Sequence, residues 1–379
     1  MRLVRSALLI ACCIETIVNK RVSTKMKQVR NFHIDGRAIG SGSLPYCIAE
    51  VGINHNGDLD IAKRMIDAAK KCGADAVKFQ TFKAEEFCGD KEQTFTYQSQ
   101  GRQVTESMLE MFRRYEFLPE NWREIKAYCQ EVGITFFSTP QNHSDLELLM
   151  EIGVPALKVG SDDFTNLPLI RRYIESGLPL ILSCGMSDLA EVHQALEAAA
   201  WFDGYPVALM LCTSQYPTPP EDVNVSKLTT LQQAFPGLLV GFSDHTQGAL
   251  AAALAVPLGA RIFEKHFTLS KDMPGPDHWF SEEPAGLAEW IKNIRTADIL
   301  LGSPLVRPTQ AEQEMRLIAR RSVVALHDIT AGEKLDAKNT GLRRPGGGLH
   351  PDMIGSVIGL TATRYIKKGE RLSLGDVKA

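Results

Sequence analysis

Paired cysteines of metal-binding spacing are absent from this chain. Its eight cysteines (Cys12, Cys13, Cys47, Cys72, Cys88, Cys129, Cys184 and Cys212) never fall into a C-x-x-C pair, which argues against structural zinc modules and thioredoxin-like redox sites. Several lie inside apolar, strand-like runs, where cysteine is a small buried hydrophobe, so they read as reduced thiols of a cytoplasmic protein. Neither a P-loop nor a G-x-G-x-x-G occurs, so the common glycine-rich phosphate cradles are excluded. No run reaches the roughly 20 apolar residues that a membrane span requires. Bulk charge is lacking too. Forty-two Lys and Arg oppose 45 Asp and Glu, a formal net charge of −3, which makes no electrostatic case for nucleic acid or a membrane as partner. Any anion site must then be a local cluster of cations.

What is present is a globular composition, 44% hydrophobic and 23% charged over 379 residues, long enough for a large barrel and a small companion domain. The start imitates a secretory signal, with Arg2 and Arg5 ahead of the apolar run Ala7–Cys13. Glu15 and Lys20 interrupt it and no small-residue cleavage site follows, so residues 1–31 read as a disordered extension, with Met26 an alternative start.

From Tyr46 onward, short apolar runs alternate eight times with longer amphipathic ones. The strands are expected at Tyr46–Val51, Ala76–Gln80, Thr135–Ser138, Ala156–Val159, Leu178–Ser183, Val207–Cys212, Leu239–Ser243 and Arg261–Lys265. Each is continuously apolar, as a strand covered on both faces should be. Helical segments lie between them, with Asp188 and Ser226 at N-cap positions and Gly133, Gly153 and Gly259 where helices stop. Eight β-then-α units imply an α/β fold, a closed parallel (β/α)₈ TIM barrel over residues 32–301. The long segment Phe82–Tyr115 is then an enlarged loop on the face that carries active sites. Residues 302–316 read as a linker. Residues 317–379 hold an internal repeat, Ile329–Leu335 echoed by Ile366–Leu372, which predicts a duplicated, hairpin-like β-rich module.

In such a barrel the C-terminal strand ends build the site. In order they offer Glu50; Lys78 and Gln80; Thr139; Lys158, followed by Ser161 and Asp163; Ser183; Ser214 and Tyr216; Ser243 and His245; and His266. A lysine in an apolar strand is costly without an anionic partner. Lys78 and Lys158, ringed by hydroxyls, point to a ligand bearing both a phosphate and a carboxylate. His245 and His266 end neighbouring strands and can converge on one divalent ion, Mn²⁺, Mg²⁺ or Zn²⁺, with Glu50 contributing directly or through water.

The motifs IAEVGINHNG (Ile48–Gly57), VKFQ (Val77–Gln80), FSTP (Phe137–Pro140), LKVGS (Leu157–Ser161), LSCGM (Leu182–Met186), CTSQYP (Cys212–Pro217), GFSDHT (Gly241–Thr246), FEKHFT (Phe263–Thr268) and GPDH (Gly275–His278) resemble, in order, those of the sialic acid (N-acetylneuraminate) synthase family. The resemblance runs from about Phe32 to the C-terminus, where LRRPG (Leu342–Gly346) and the flanking repeats resemble that family's antifreeze-like SAF domain, a β-clip fold. It implies condensation of phosphoenolpyruvate with N-acetylmannosamine or its 6-phosphate, giving N-acetylneuraminate or its 9-phosphate. It further implies His245 and His266 as ligands of a divalent metal, Mn²⁺ foremost with Mg²⁺ or Co²⁺ as alternatives. Lys78, Thr139, Lys158, Ser161, Ser183, Ser214 and Ser243 would hold phosphoenolpyruvate, and Gln80, Tyr216, Asp277 and Arg344 the amino sugar. Glu50 and Asp163 would move protons and orient water. A domain-swapped homodimer is implied as well, with Arg344 entering the partner's barrel.

Two rival readings follow. One is a synthase of another nonulosonate, legionaminic or pseudaminic acid, by the same chemistry; the other is a non-catalytic SAF-bearing binding protein. Asp162 and Asp163 stand where bacterial members of the resembled family carry Gly-Glu, which shortens one carboxylate by a methylene, makes the pocket more acidic and leaves the sugar open.

Overall fold

The computed structural model describes residues 32–379; the expected N-terminal extension, with Cys12, Cys13 and Met26, lies outside them. The chain divides into two compact units between Gly302 and Ser303.

In the first unit a hairpin of β1 (Phe32–Ile34) and β2 (Arg37–Ile39) precedes the barrel. Then come β3 (Tyr46–Gly52) and β4 (Ala76–Thr81), a second hairpin of β5 (Thr94–Ser99) and β6 (Arg102–Ser107), and β7 (Thr135–Pro140). The remaining strands are β8 (Leu157–Val159), β9 (Leu180–Ser183), β10 (Val207–Cys212), β11 (Leu239–Asp244) and β12 (Ile262–His266). The closed parallel barrel runs β3-β4-β7-β8-β9-β10-β11-β12 and back to β3. All eight expected strands form close to their expected bounds. They read as unbroken apolar runs because side chains pointing in fill the barrel and those pointing out meet the helices.

Helix ends follow local chemistry. Asp188 accepts from the Ala190 and Glu191 amides and caps Leu189–Ala198, while Gly133 and Gly153 end their helices in the left-handed region. Ser226 precedes Lys227–Ala234 but its hydroxyl caps nothing, since its backbone is already helical. The position is the expected one, without the side-chain bond.

The segment Phe82–Tyr115 is more than a loop. It folds as the helix Ala84–Phe87, the β5–β6 hairpin and the helix Met108–Tyr115. Gln100 and Gly101, both at positive φ (51° and 72°), make the two-residue turn, whose twist matches paired strands. Phe82, Phe87 and Phe112 pack edge-to-face beneath it.

The second unit holds β13 (Ser322–Ala325) paired with β14 (Thr340–Arg343), and β15 (Thr361–Ala362) paired with β16 (Val377–Lys378). The stretch expected as a linker already carries most of a helix, Gln310–Ala319, capped by Thr309. The two sequence repeats do not each close a hairpin. They face one another, Ile329 and Ile366 exchanging both backbone hydrogen bonds at 2.9 Å. Glu333 and Glu370 accept from the Thr330 and Lys367 amides in equivalent turns. Ile329, Leu335, Ile366 and Leu372 are buried in the shared core.

Candidate functional site

A cavity of about 680 Å³ opens at the C-terminal ends of the barrel strands. At its floor lie Lys78 and Lys158, only 3% and 2% exposed. Lys78 Nζ meets Glu50 Oε2 at 2.9 Å and donates to Thr139 Oγ1 at 3.1 Å. Lys158 Nζ donates to Ser183 Oγ at 2.7 Å and to the carbonyl of Val159 at 3.1 Å. Between the lysines sits Glu264, 3.8 Å from each, accepting from Ser243 Oγ at 3.3 Å. The period-two alternation of β12 puts Glu264 on the same inward face as His266. That alternation was readable from the sequence, yet Glu264 was not among the expected site residues.

The two carboxylates differ. Burial pushes Glu50 up to about 7, with Lys78 pulling the other way. Burial also disfavours the Glu264 anion, but the Lys158 and Lys78 ammoniums outweigh it and hold Glu264 below its ordinary value. Glu264 is the fixed anion, and Glu50 is the carboxyl poised to gain or lose a proton near neutrality. A bulge after Glu50 makes this geometry possible: Gly52 takes φ +51°, and a Cβ there would sit 3.3 Å from Glu50 Oε1.

Beyond the lysines two serine hydroxyls gather around Gly185, where β9 ends. The Gly185 amide donates to Ser161 Oγ at 3.0 Å, and Ser214 Oγ is buried without a hydrogen bond in the protein. A Cβ on Gly185 would lie 2.3 Å from Ser214 Oγ and 2.6 Å from Ser161 Oγ. Only glycine lets both hydroxyls close around one point. Gly185→Ala is therefore expected to weaken binding of phosphoenolpyruvate about tenfold or more in calorimetric titration, since a forced methyl displaces both donors. Unaltered affinity would show that these hydroxyls do not hold the anion.

His245 and His266 do converge, with ring centroids 5.4 Å apart. The His245 Nδ1 lies 2.8 Å from the Thr213 carbonyl; a carbonyl only accepts, so Nδ1 carries a proton and Nε2 is the nitrogen left for a metal. His266 Nδ1 is buried without a hydrogen bond, and Asp277 Oδ2 is 4.0 Å away. Burial and neighbouring cations hold His266 well below its ordinary value, which leaves it neutral. Burial disfavours the His245 cation, but Cys212 and the Thr213 carbonyl outweigh it and hold His245 above its ordinary value, so a divalent ion would take the His266 nitrogen directly and the His245 nitrogen in exchange for a proton. Glu50 is not a third member, being paired with Lys78. Among the described residues no three His, Cys, Asp or Glu side chains are grouped so as to hold a metal ion, so the two imidazoles are the only side chains of these types offered to one here.

Behind the histidines, on the outer face, Lys265 Nζ pairs with Asp244 Oδ2 at 3.0 Å, and Trp290 Nε1 donates to the same carboxylate oxygen at 2.8 Å. Each partner immediately precedes one histidine. The buried ion pair thus holds β11 and β12 in register while the histidines turn inward.

The mouth carries Gln80, Tyr216 and Asp277, as expected, with Tyr216 packed on His245 at 4.2 Å between ring centroids. Burial raises Asp277 to about 6. Asp163 is a correction: its carboxylate does not line the cavity but accepts from Asn166 Nδ2 at 3.0 Å, tying the turn before Leu167–Ile174. Asp162, its neighbour, lines the cavity instead, along with Phe95, Gln98 and Gln103 of the β5–β6 hairpin and Trp279. Arg344 belongs to the second unit, where its side chain is exposed. Among the described residues no helix is long and apolar enough to cross a membrane.

Known proteins share this architecture. Residues 65–305 match the NeuB family and residues 320–378 the SAF domain. The N,N'-diacetyllegionaminic acid synthase of Legionella pneumophila is 37% identical, over 90% of this chain and 96% of its own. Human N-acetylneuraminate-9-phosphate synthase is 37% identical over 78% of this chain and 82% of its own. The crystal structure of a sialic acid synthetase from Leptospira borgpetersenii, in complex with citrate, superposes with a TM-score of 0.67 at 33% identity, covering 75% of this chain and 94% of that one.

Proposed function

This chain belongs to the NeuB family and ends in a SAF domain, and we propose that it is a nonulosonate synthase that condenses phosphoenolpyruvate with an N-acetylated amino-sugar aldehyde. The observation that carries this reading is the pair Lys78 and Lys158, buried at the floor of one cavity with a single shared carboxylate, Glu264, between them. Two desolvated ammoniums require anionic charge beyond Glu264 and the raised Glu50, and a phosphate with a carboxylate supplies it. Sialic, legionaminic and pseudaminic acid synthases among the relatives fit the same chemistry.

In the proposed reaction C3 of phosphoenolpyruvate forms a bond to the aldehyde carbon, whose oxygen gains a proton and becomes a hydroxyl. Water adds at C2, the bond from C2 to the phosphate oxygen breaks, and inorganic phosphate leaves a 2-keto acid. Lys78 with Thr139 and Lys158 with Ser183 grip the anionic ends, and Ser214 and Ser161, the latter oriented by the Gly185 amide, cradle the phosphoryl oxygens, with Ser243 steadying Glu264. Glu50 takes the proton that the added water gives up. A divalent metal held by His245 and His266, Mn²⁺ foremost and Mg²⁺ or Co²⁺ as alternatives, would supply Lewis-acid polarisation of the aldehyde.

The test is phosphate release from phosphoenolpyruvate and Mn²⁺ with a panel of 2-acetamido sugars. In the same assay Lys78→Met and Lys158→Met keep the stem but delete a charge-assisted bond worth about 1.5–3 kcal/mol, so the KM for phosphoenolpyruvate should rise roughly tenfold to a hundredfold. Unchanged KM and kcat in both variants would mean that the lysines serve the fold alone.

A further inference from the structure

The cavity is electrically divided. Its two lysines lie at the floor, both engaged, and among the described residues of the barrel unit no other Lys or Arg lines it. The mouth carries carboxylates instead. Asp162 folds back over the end of β8, its Oδ1 so placed that a Cβ on Gly160 would lie 2.1 Å from it. Gly160 thus makes room for this carboxylate at the rim. Its field reaches inward: Asp162 is among the charges acting on both Lys78 and Tyr216, and Asp277 acts on Tyr216 as well. The rest of the mouth is neutral, formed by Gln80, Gln98, Gln103 and the rings of Phe95 and Trp279. Amides and aromatic faces suit hydroxyls, acetamido oxygens and acetamido methyls.

A phosphoenolpyruvate bound at the floor uses both lysines. An acceptor with a phosphate of its own would place a second dianion beside the Asp162 carboxylate, an arrangement that like charges disfavour. Among the relatives stands an enzyme named for a 9-phosphate product, so family membership alone does not decide the question. We infer that the acceptor of this enzyme is an unphosphorylated acetamido sugar, and that Asp162 is the specificity-determining residue that turns sugar phosphates away. This rests on the condensation reading above and deepens it.

The experiment compares kcat/KM for N-acetylmannosamine, a 2,4-diacetamido sugar and N-acetylmannosamine 6-phosphate, at saturating phosphoenolpyruvate and Mn²⁺, with the full-length protein. At least one neutral sugar should exceed the phosphate by about tenfold or more. In Asp162→Asn that ratio should shrink about tenfold, whereas Asp162→Glu, which keeps the charge, should retain it. A merely structural defect would slow every sugar alike and leave the ratio standing. Preference for the 6-phosphate, or a ratio that Asp162→Asn does not move, overturns the inference and leaves the condensation reading intact. No phosphate release with any of the three sugars overturns both.

Discussion

Dialysis of the protein against a strong chelator is expected to abolish phosphate release, and Mn²⁺ to restore it. The expected loss is about a thousandfold or more, because Lewis-acid polarisation is worth several kcal/mol and each 1.4 kcal/mol is tenfold in rate. The geometry supports a large effect. His245 is held in one orientation by its Nδ1 bond to the Thr213 carbonyl, and His266 is buried with an unpartnered nitrogen. The Asp244–Lys265 ion pair behind them prevents either strand end from drifting. A His245→Ala/His266→Ala variant should bind less than a tenth of the wild-type Mn²⁺ in equilibrium dialysis, a readout independent of turnover. Full activity after chelation, or wild-type Mn²⁺ binding by the double variant, would remove the metal from these residues.

The second large effect is expected at Glu50. Glu50→Gln keeps the shape and a hydrogen-bond acceptor for Lys78 but cannot take a proton. If Glu50 is the base, kcat should fall about 10² to 10⁴-fold, with little change in the KM for phosphoenolpyruvate. Wild-type kcat should rise with pH through about 7, as Glu50 loses its proton, and the variant should lack that step. Stability should move the other way. A carboxyl raised from 4.5 to about 7 by folding contributes stability below pH 4.5 that is lost as pH rises through 7. The variant, with no proton to lose, should match or exceed the wild-type Tm at pH 8. A variant that loses both activity and Tm would mark Glu50 as structural, and one that keeps its kcat would not involve it in proton transfer.

Much of this site was legible before folding was considered. Lys78, Thr139, Lys158, Ser183, Ser243, His245 and His266 fall at the ends of apolar runs, and parallel strands in a closed barrel must present those ends to one cavity. Glu264 was legible too, since two residues before His266 on one strand is the same face of the barrel. The hairpin wall was signalled by alternating residues on either side of Gln100 and Gly101, a turn pair outside the usual Asn-Gly signature.

The sequence by itself determined the order of strands, the closure of the barrel and which strand-end residues reach the cavity. Apolar continuity and period-two alternation are local properties, written along the chain. Tertiary structure decided how those residues divide the work. Whether Glu50 or Glu264 holds a proton depends on the lysines of β4 and β8, brought within 4 Å across the barrel. Whether Asp162 or Asp163 faces the cavity depends on one turn and its bond to Asn166. The two repeats of the second unit were visible as copies, yet only folding paired them with each other rather than each with itself. Proton affinity, side-chain direction and pairing partner are set by distances through space between residues far apart in sequence, and these distances exist only once the chain has closed.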